Sequence, residues 1–243
     1  VSNPIIVIPA RMTSTRLPGK PLALIGGRPM ILHVLERARA AGIAPVVVAC
    51  CDFAVFDVVT GAGGFAVMTD PNLPSGSDRV HAALAEVDPN AAHDLIVNLQ
   101  GDLPTIRAAD LRAVLTPLHQ PGFDLATLVA PMTADEAAAP SIVKAACAFA
   151  EGHATARALY FSRAPIPWGA GPFWHHVGIY AWRPETLARF VALPSSPLEQ
   201  RESLEQLRAL EAGMSIACTR IATAPLGVDT AADLDRVRLE HGR

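Results

Sequence analysis

The residues best placed to do chemistry lie in one stretch, Pro9-Ala-Arg-Met-Thr-Ser-Thr-Arg-Leu-Pro-Gly-Lys-Pro21. None of the chain's 23 acidic residues comes before Glu36, yet Arg11, Arg16, Lys20 and Arg28 all fall in that span. A locally cationic segment in a chain of formal net charge −3 suits an anionic ligand. Guanidinium groups make forked contacts to phosphate oxygens, and an ammonium acts as a compact point charge. Leu17-Pro18-Gly19-Lys20 fits a type II turn, in which Pro presets φ and Gly supplies φ > 0. That turn would hold Lys20 on a fixed arc. Only two of the 20 cationic residues are lysines, Lys20 and Lys144, so a Lys here hints at a need for the ammonium itself. The loop is not a Walker A motif, because Pro21 stands where Ser or Thr is required. Gly61-Ala-Gly63-Gly64 lacks the dinucleotide spacing and precedes a strand.

The elements that must position this loop alternate between strand and helix. Apolar runs at 4–9, 46–51, 65–69 and 94–100 read as strands. Segments 30–41, 53–60, 78–87 and 108–118 read as helices between or after them. Continuously apolar strands separated by amphipathic helices indicate a parallel sheet covered on both faces. Ligands of such sheets bind at the carboxyl ends of the strands, and the cationic loop directly follows the first strand. After residue 122 the pattern changes. Segments 125–130, 142–150 and 174–182 read as strands with little helix between them. A helix over 198–212, a strand over 215–221 and a helix over 231–240 follow. This yields a Rossmann-like α/β fold with a smaller β-rich lobe, as one domain with halves 1–122 and 123–243.

Composition excludes other classes. At 51% hydrophobic the chain can bury a sizeable core. No cationic domain or stripe marks a nucleic-acid or membrane-surface binder, and no apolar run approaches a membrane span. Cys50, Cys51, Cys147 and Cys218 lack metal spacing and read as buried reduced thiols, which makes the cytoplasm the expected location.

Six further blocks follow the loop in order: SGSDR (75–79), VNLQGDLP (97–104), YFSRAPIPW (160–168), HVGIYAWR (176–183), SPLEQRESLEQLR (196–208) and GVDTAADLDRVR (227–238). Together with the loop they span nearly the whole chain and resemble the 3-deoxy-manno-octulosonate (Kdo) cytidylyltransferase family. The resemblance implies the nucleotide-diphospho-sugar transferase type of fold. It also implies transfer of CMP from CTP to the anomeric hydroxyl of Kdo for lipopolysaccharide synthesis, with Mg²⁺ and a homodimer. The acceptor stays open between Kdo, 8-amino-Kdo and a sialic acid. A non-catalytic nucleotide sensor would be expected to lose Lys20, Asp102 or Asp229, and all three are present.

By the same resemblance Ala10, Arg11, Ser14, Arg16, Lys20, Arg79 and Gln100 are expected on the nucleotide, with Arg79 near the cytosine. Mg²⁺ favours one or two carboxylates plus phosphates and water. Asp102, at a strand's carboxyl end, and Asp229 would supply such a pair. Asp before a helix is usually a cap, but Thr230 and Asp233 can cap instead and leave Asp229 free. Leu103 stands where the family commonly has Glu. Lys20, Arg11, Asp102 and Asp229 are the expected catalytic set, and no side chain suggests itself as general base.

The sugar is expected on Gln100, Arg163 (its carboxylate), His176, Tyr180 and Glu205. Period-two geometry puts His176, Gly178 and Tyr180 on one strand face, so Gly178 would leave ligand room between the two rings. The span 168–176 is shorter than usual in the family and bears on the dimer contact.

Overall fold

The computed structural model describes residues 2–14 and 16–241. In chain order the elements are β1 (Pro4–Ala10), β2 (Leu24–Ile25), β3 (Arg28–Pro29), α1 (Met30–Ala40), β4 (Val46–Cys50), α2 (Phe53–Gly61) and β5 (Phe65–Met68). Then come α3 (Gly76–Val87), β6 (Leu95–Asn98), α4 (Ala108–Leu115), β7 (Leu125–Met132), α5 (Ala134–Ala138), β8 (Lys144–Cys147) and β9 (Thr155–Ser162). The chain ends with β10 (Phe173–Trp182), α6 (Pro184–Val191), α7 (Pro197–Glu202), α8 (Gln206–Glu211), β11 (Ile216–Arg220) and α9 (Ala231–His241). It forms two compact units, Val1–Arg112 with Pro225–Arg243, and Ala113–Ala224. The C-terminal segment, read from sequence with the second half, thus groups with the first.

In the first unit four strands run parallel in the order β5-β4-β1-β6. Ile5 to Ala10, Val46 to Cys50 and Leu95 to Asn98 are buried at every position. Strands buried on alternating positions alike have both faces covered, which is why their sequences are apolar without alternation. The return of residues 225–243 has a physical cause. Val228, Leu234 and Val237 bury against Ile25 and Met30, with Leu17 and Leu226 packed on them. The Val228 amide also donates to the Asp102 carbonyl at 3.0 Å.

In the second unit the strand order is β10-β7-β11-β9-β8, and β8 pairs back onto β10 at Lys144↔His175, closing the ring. Three elements here differ from sequence expectation. The segment 155–162, not read as a strand, is β9, pairing with both β8 and β11. The helix expected over 198–212 is two short helices, because Ser203 adopts the left-handed conformation (φ 53°) and interrupts it. The β10 strand carries a bulge between Val177 and Tyr180, which takes Gly178 and Ile179 out of register with β7.

Candidate active site

Strand β1 delivers its carboxyl end, Pro9 and Ala10, to the rim of an open cleft of about 710 Å³ in the first unit. The loop that follows is held from both sides. The Asp52 carboxylate accepts the Met12 amide at 2.9 Å, and the Met12 carbonyl accepts the Gly19 amide at 3.1 Å. The expected turn forms: Gly19 has φ 71° and the Lys20 amide donates to the Leu17 carbonyl at 3.2 Å. Ser14 Oγ accepts the Leu17 amide at 3.3 Å. Sequence reading missed Asp52, since an Asp before a helix reads as a cap; its side chain caps nothing in α2 and serves the loop instead.

Strand β6 brings the second wall. After Asn98 the chain passes through Gln100-Gly101-Asp102, where a Cβ on Gly101 would stand 3.0 Å from the Pro9 carbonyl oxygen. That close approach explains the glycine. Gln100 Nε2 donates to Asn98 Oδ1 at 3.0 Å. Leu103 is buried beside Gly227, so it packs the C-terminal return instead of facing the cleft.

Lys20 links the two walls. Its Nζ lies 2.8 Å from Asp102 Oδ2 and 3.1 Å from Asp229 Oδ1, and an Arg16 guanidinium nitrogen lies 3.0 Å from that same Asp229 oxygen. Burial alone would lower the Lys20 pKa, but the charges and hydrogen bonds of Asp102 and Asp229 outweigh it, and the net shift is upward. The capping arithmetic at Asp229 resolves as the sequence suggests. Thr230 Oγ1 accepts the Asp233 amide and Asp233 accepts the Thr230 amide, which leaves the Asp229 carboxylate to the cations.

The third wall is the start of α3. Ser75 is the N-cap, accepting the Asp78 amide, and Ser75 and Gly76 face the cleft. Arg79 is 2% exposed and lines the cleft. One of its terminal nitrogens donates to Thr69 Oγ1 and the Asp70 carbonyl. The other is buried with no hydrogen-bond partner among the described residues. An unpaired buried guanidinium N–H is costly unless a ligand completes it.

The cleft thus gathers Ala10, Arg11, Ser14, Arg16, Lys20, Arg79, Gln100, Asp102 and Asp229. A family model described as cytidylyltransferase matches residues 5–216. A 3-deoxy-manno-octulosonate cytidylyltransferase of Rhodospirillum centenum is 61% identical over 237 residues, 97% of this chain and 92% of that protein. One of Paramagnetospirillum magneticum is 58% identical, over 97% of this chain and 96% of its own length. The chain belongs to the 3-deoxy-manno-octulosonate cytidylyltransferase family. A solved structure of CMP:2-keto-3-deoxy-manno-octonic acid synthetase complexed with CTP superposes with a TM-score of 0.91 at 44% identity, covering 99% of both chains. UTP-bound UGPase from Acinetobacter baumannii shares the fold at 16% identity, with a TM-score of 0.70 over 99% of this chain and 93% of that one.

The other expected sugar residues of this cytidylyltransferase, Arg163, His176, Tyr180 and Glu205, all lie in the second unit. His176 and Tyr180 stack directly, with ring centroids 5.7 Å apart, and Phe161 and Trp182 extend the stack. Gly178 sits in the bulge, where a Cβ would meet no atom within 4 Å, and the two rings contact each other directly. Thr127 pins that bulge: its hydroxyl lies 2.8 Å from the Ile179 carbonyl and 3.1 Å from that of Val177. Since the hydroxyl donates to a carbonyl, it accepts from His176 Nε2, 3.0 Å away, which fixes the neutral Nε2–H tautomer. Burial holds the His176 pKa down to about 3, and the Tyr180 phenol is pushed up by the same cause.

Arg163, expected on the sugar carboxylate, donates to the backbone carbonyls of Glu202, Pro140 and Ser203. Its guanidinium braces loops. Glu205 is the N-cap residue of α8. Its neighbour Gln206 accepts the Tyr180 hydroxyl at 3.2 Å, and the Gln206 Nε2 is buried with no partner among the described residues. That orphan donor is a ligand signal that the sequence hid, because Gln206 reads as one more residue on a helix face.

Proposed function

We propose that this protein transfers CMP from CTP to the anomeric hydroxyl of Kdo and releases pyrophosphate. The observation that carries the reading is the pairing in one cleft of a cationic loop with two carboxylates that converge on a single point, the Lys20 ammonium. The triphosphate would lie along Arg11, Arg16 and Lys20, with the cytosine toward Arg79 and its unpaired N–H. The sugar hydroxyl attacks the α-phosphorus as the bond to the β-phosphate oxygen breaks. Pyrophosphate carries away the electron pair and the proton passes to water. Transfer of this type depends mainly on positioning and charge neutralisation, and the loop supplies both.

Asp102 and Asp229 fit Mg²⁺. They present two hard oxygens to a spot where a cation already sits, and among the described residues no group of three or more His, Cys, Asp or Glu offers another metal site. When bound, the metal would polarise the α-phosphate and lower the pKa of the hydroxyl. Sugar hydroxyls are assigned to Gln206 and Glu205, with Tyr180 fixing Gln206 and with Arg163 and His176 bracing the second unit around them. The homodimer belongs to the same proposal, and the fully exposed Trp168 with the exposed Leu159 would supply apolar contact area. Free thiols at all four cysteines accord with a cytoplasmic setting. Among the described residues no helix is long and apolar enough to cross a membrane.

Pyrophosphate release, measured with CTP or UTP and with Kdo, 8-amino-Kdo or a sialic acid, tests the reading. Turnover is expected with CTP and Kdo, and its absence overturns the assignment.

A further inference from the structure

We infer that Lys20 and Arg16 act as internal placeholder cations, which close the Asp102–Asp229 pair to a free divalent ion until a triphosphate draws them away. The inference rests on the metal role proposed above for the two carboxylates. Lys20 Nζ touches one oxygen of each, at 2.8 and 3.1 Å, and Arg16 shares the Asp229 oxygen at 3.0 Å. Two negative charges are therefore already matched by two positive ones. A divalent ion arriving alone meets a locally neutral site and a filled oxygen, and must displace an ammonium only 16% exposed.

A triphosphate changes that balance. It presents several negative charges along the same cationic loop, where Arg11, Arg16 and Lys20 line the cleft. Phosphate oxygens compete for the Lys20 and Arg16 donors, and each donor that moves uncovers carboxylate oxygen for a metal arriving on the nucleotide. Lys20 sits beside a turn whose Gly19 has positive φ. Its flexible stem can change partner without a change of backbone. Lys20 thus has two successive partners, the carboxylates first and the triphosphate second. Metal and nucleotide binding are then positively coupled, and by linkage each tightens the other by the same factor.

Mn²⁺ is the probe, followed by the electron paramagnetic resonance of the free ion. Nucleotide-free wild type should bind Mn²⁺ weakly. Lys20→Met, checked for folding by circular dichroism, should bind it roughly tenfold or more tightly, as expected from removing one adjacent positive charge. Arg16→Gln, at an exposed position, should move the affinity in the same direction by less. Adding Asp102→Asn to Lys20→Met should abolish the gain. Equal Mn²⁺ affinity in nucleotide-free wild type and both single variants, with CTP still recruiting Mn²⁺ to wild type, would overturn the placeholder role and leave the metal assignment standing. Failure of every form to retain Mn²⁺, wild type with CTP included, would overturn both.

Discussion

The two units place cations among oxygens in opposite ways. In the first, Lys20 and Arg16 rest on carboxylates at the rim of an open cleft, and Arg79 keeps a nitrogen unpaired. In the second, each of three cations clamps three backbone carbonyls. Lys144 holds those of Ala139, Ile142 and Arg163; Arg163 holds those of Pro140, Glu202 and Ser203; Arg183 holds those of Phe123, Leu118 and Gln120. A cation held by several backbone carbonyls at once is part of the frame, and one that rests on movable carboxylates is available to a ligand. The chain's two lysines make the point together. Lys20 is a lysine because a point charge must change partners, whereas Lys144 is one because an ammonium has three donors for three converging carbonyls.

Breaking the frame should cost the most. Lys144 is 0% exposed, and Lys144→Met would leave three carbonyls without their shared donor. We expect a loss of about 1–3 kcal/mol in unfolding free energy by chemical denaturation, the range for leaving buried hydrogen-bonding groups unsatisfied. A loss below about 1 kcal/mol would show that water replaces the clamp and that the contrast between the units is smaller than drawn.

Breaking the cleft should cost function and spare the fold. Asp102→Asn keeps the shape but removes the charge, and kcat should fall by about 10²–10³-fold, the scale of losing one electrostatic contact to the reacting group. Because Asp102 is partly exposed and its partner Lys20 keeps Asp229, the unfolding midpoint should barely move. Near-normal turnover would remove Asp102 from the metal site.

That same contrast decides what could be read in advance. The parallel strands of the first unit were legible because burial on both faces leaves an apolar run with no alternation. The loop was legible because a Pro-Gly turn and an acid-free stretch are local signals. Asp102 and Asp229 sit 127 residues apart in numbering, so their meeting depended on the resemblance and on the apolar return of Val228, Leu234 and Val237. The second unit was less legible because its determinants are not local. A left-handed Ser203 splits a helix that its sequence would continue. The hydroxyl of Thr127 folds Gly178 and Ile179 out of a strand that otherwise has period two. In β9 Leu159 is exposed while Ala156 and Ala158 are buried, so its apolar residues do not mark one face until Phe161, which is buried. Strand β9 was therefore missed.

The aromatic stack offers a pH test of the frame. His176 has a folded pKa near 3 against an ordinary 6.5, so between these values the unfolded chain binds the extra proton. Stability is therefore full above about pH 6.5 and lost as pH falls. The slope is about 1.4 kcal/mol per unit, or roughly 2 kcal/mol between pH 6.5 and 5. His176→Asn should be less stable at pH 7 but should lack that part of the acid slope. An unchanged slope would place the acid sensitivity elsewhere and free His176 from its fixed tautomer.

The smallest expected effect lies where frame and cleft meet. Ser75 caps α3, its hydroxyl accepting the Asp78 amide at 3.3 Å and donating to the Asp78 carboxylate at 2.6 Å. Ser75→Ala should cost about 1 kcal/mol of stability, as for loss of an N-cap. If Ser75 were only a cap, CTP affinity measured by calorimetry would stay constant once the protein is folded. Ser75 and Gly76 also line the cleft, and α3 aligns Arg79 from the same turn. A loosened first turn should therefore weaken CTP binding by a few-fold, and Ser75→Asp, which keeps a capping oxygen but adds a negative charge beside the cleft, should restore the helix and weaken CTP further. A cap substitution that changed stability and left CTP affinity untouched in both variants would confine Ser75 to the frame.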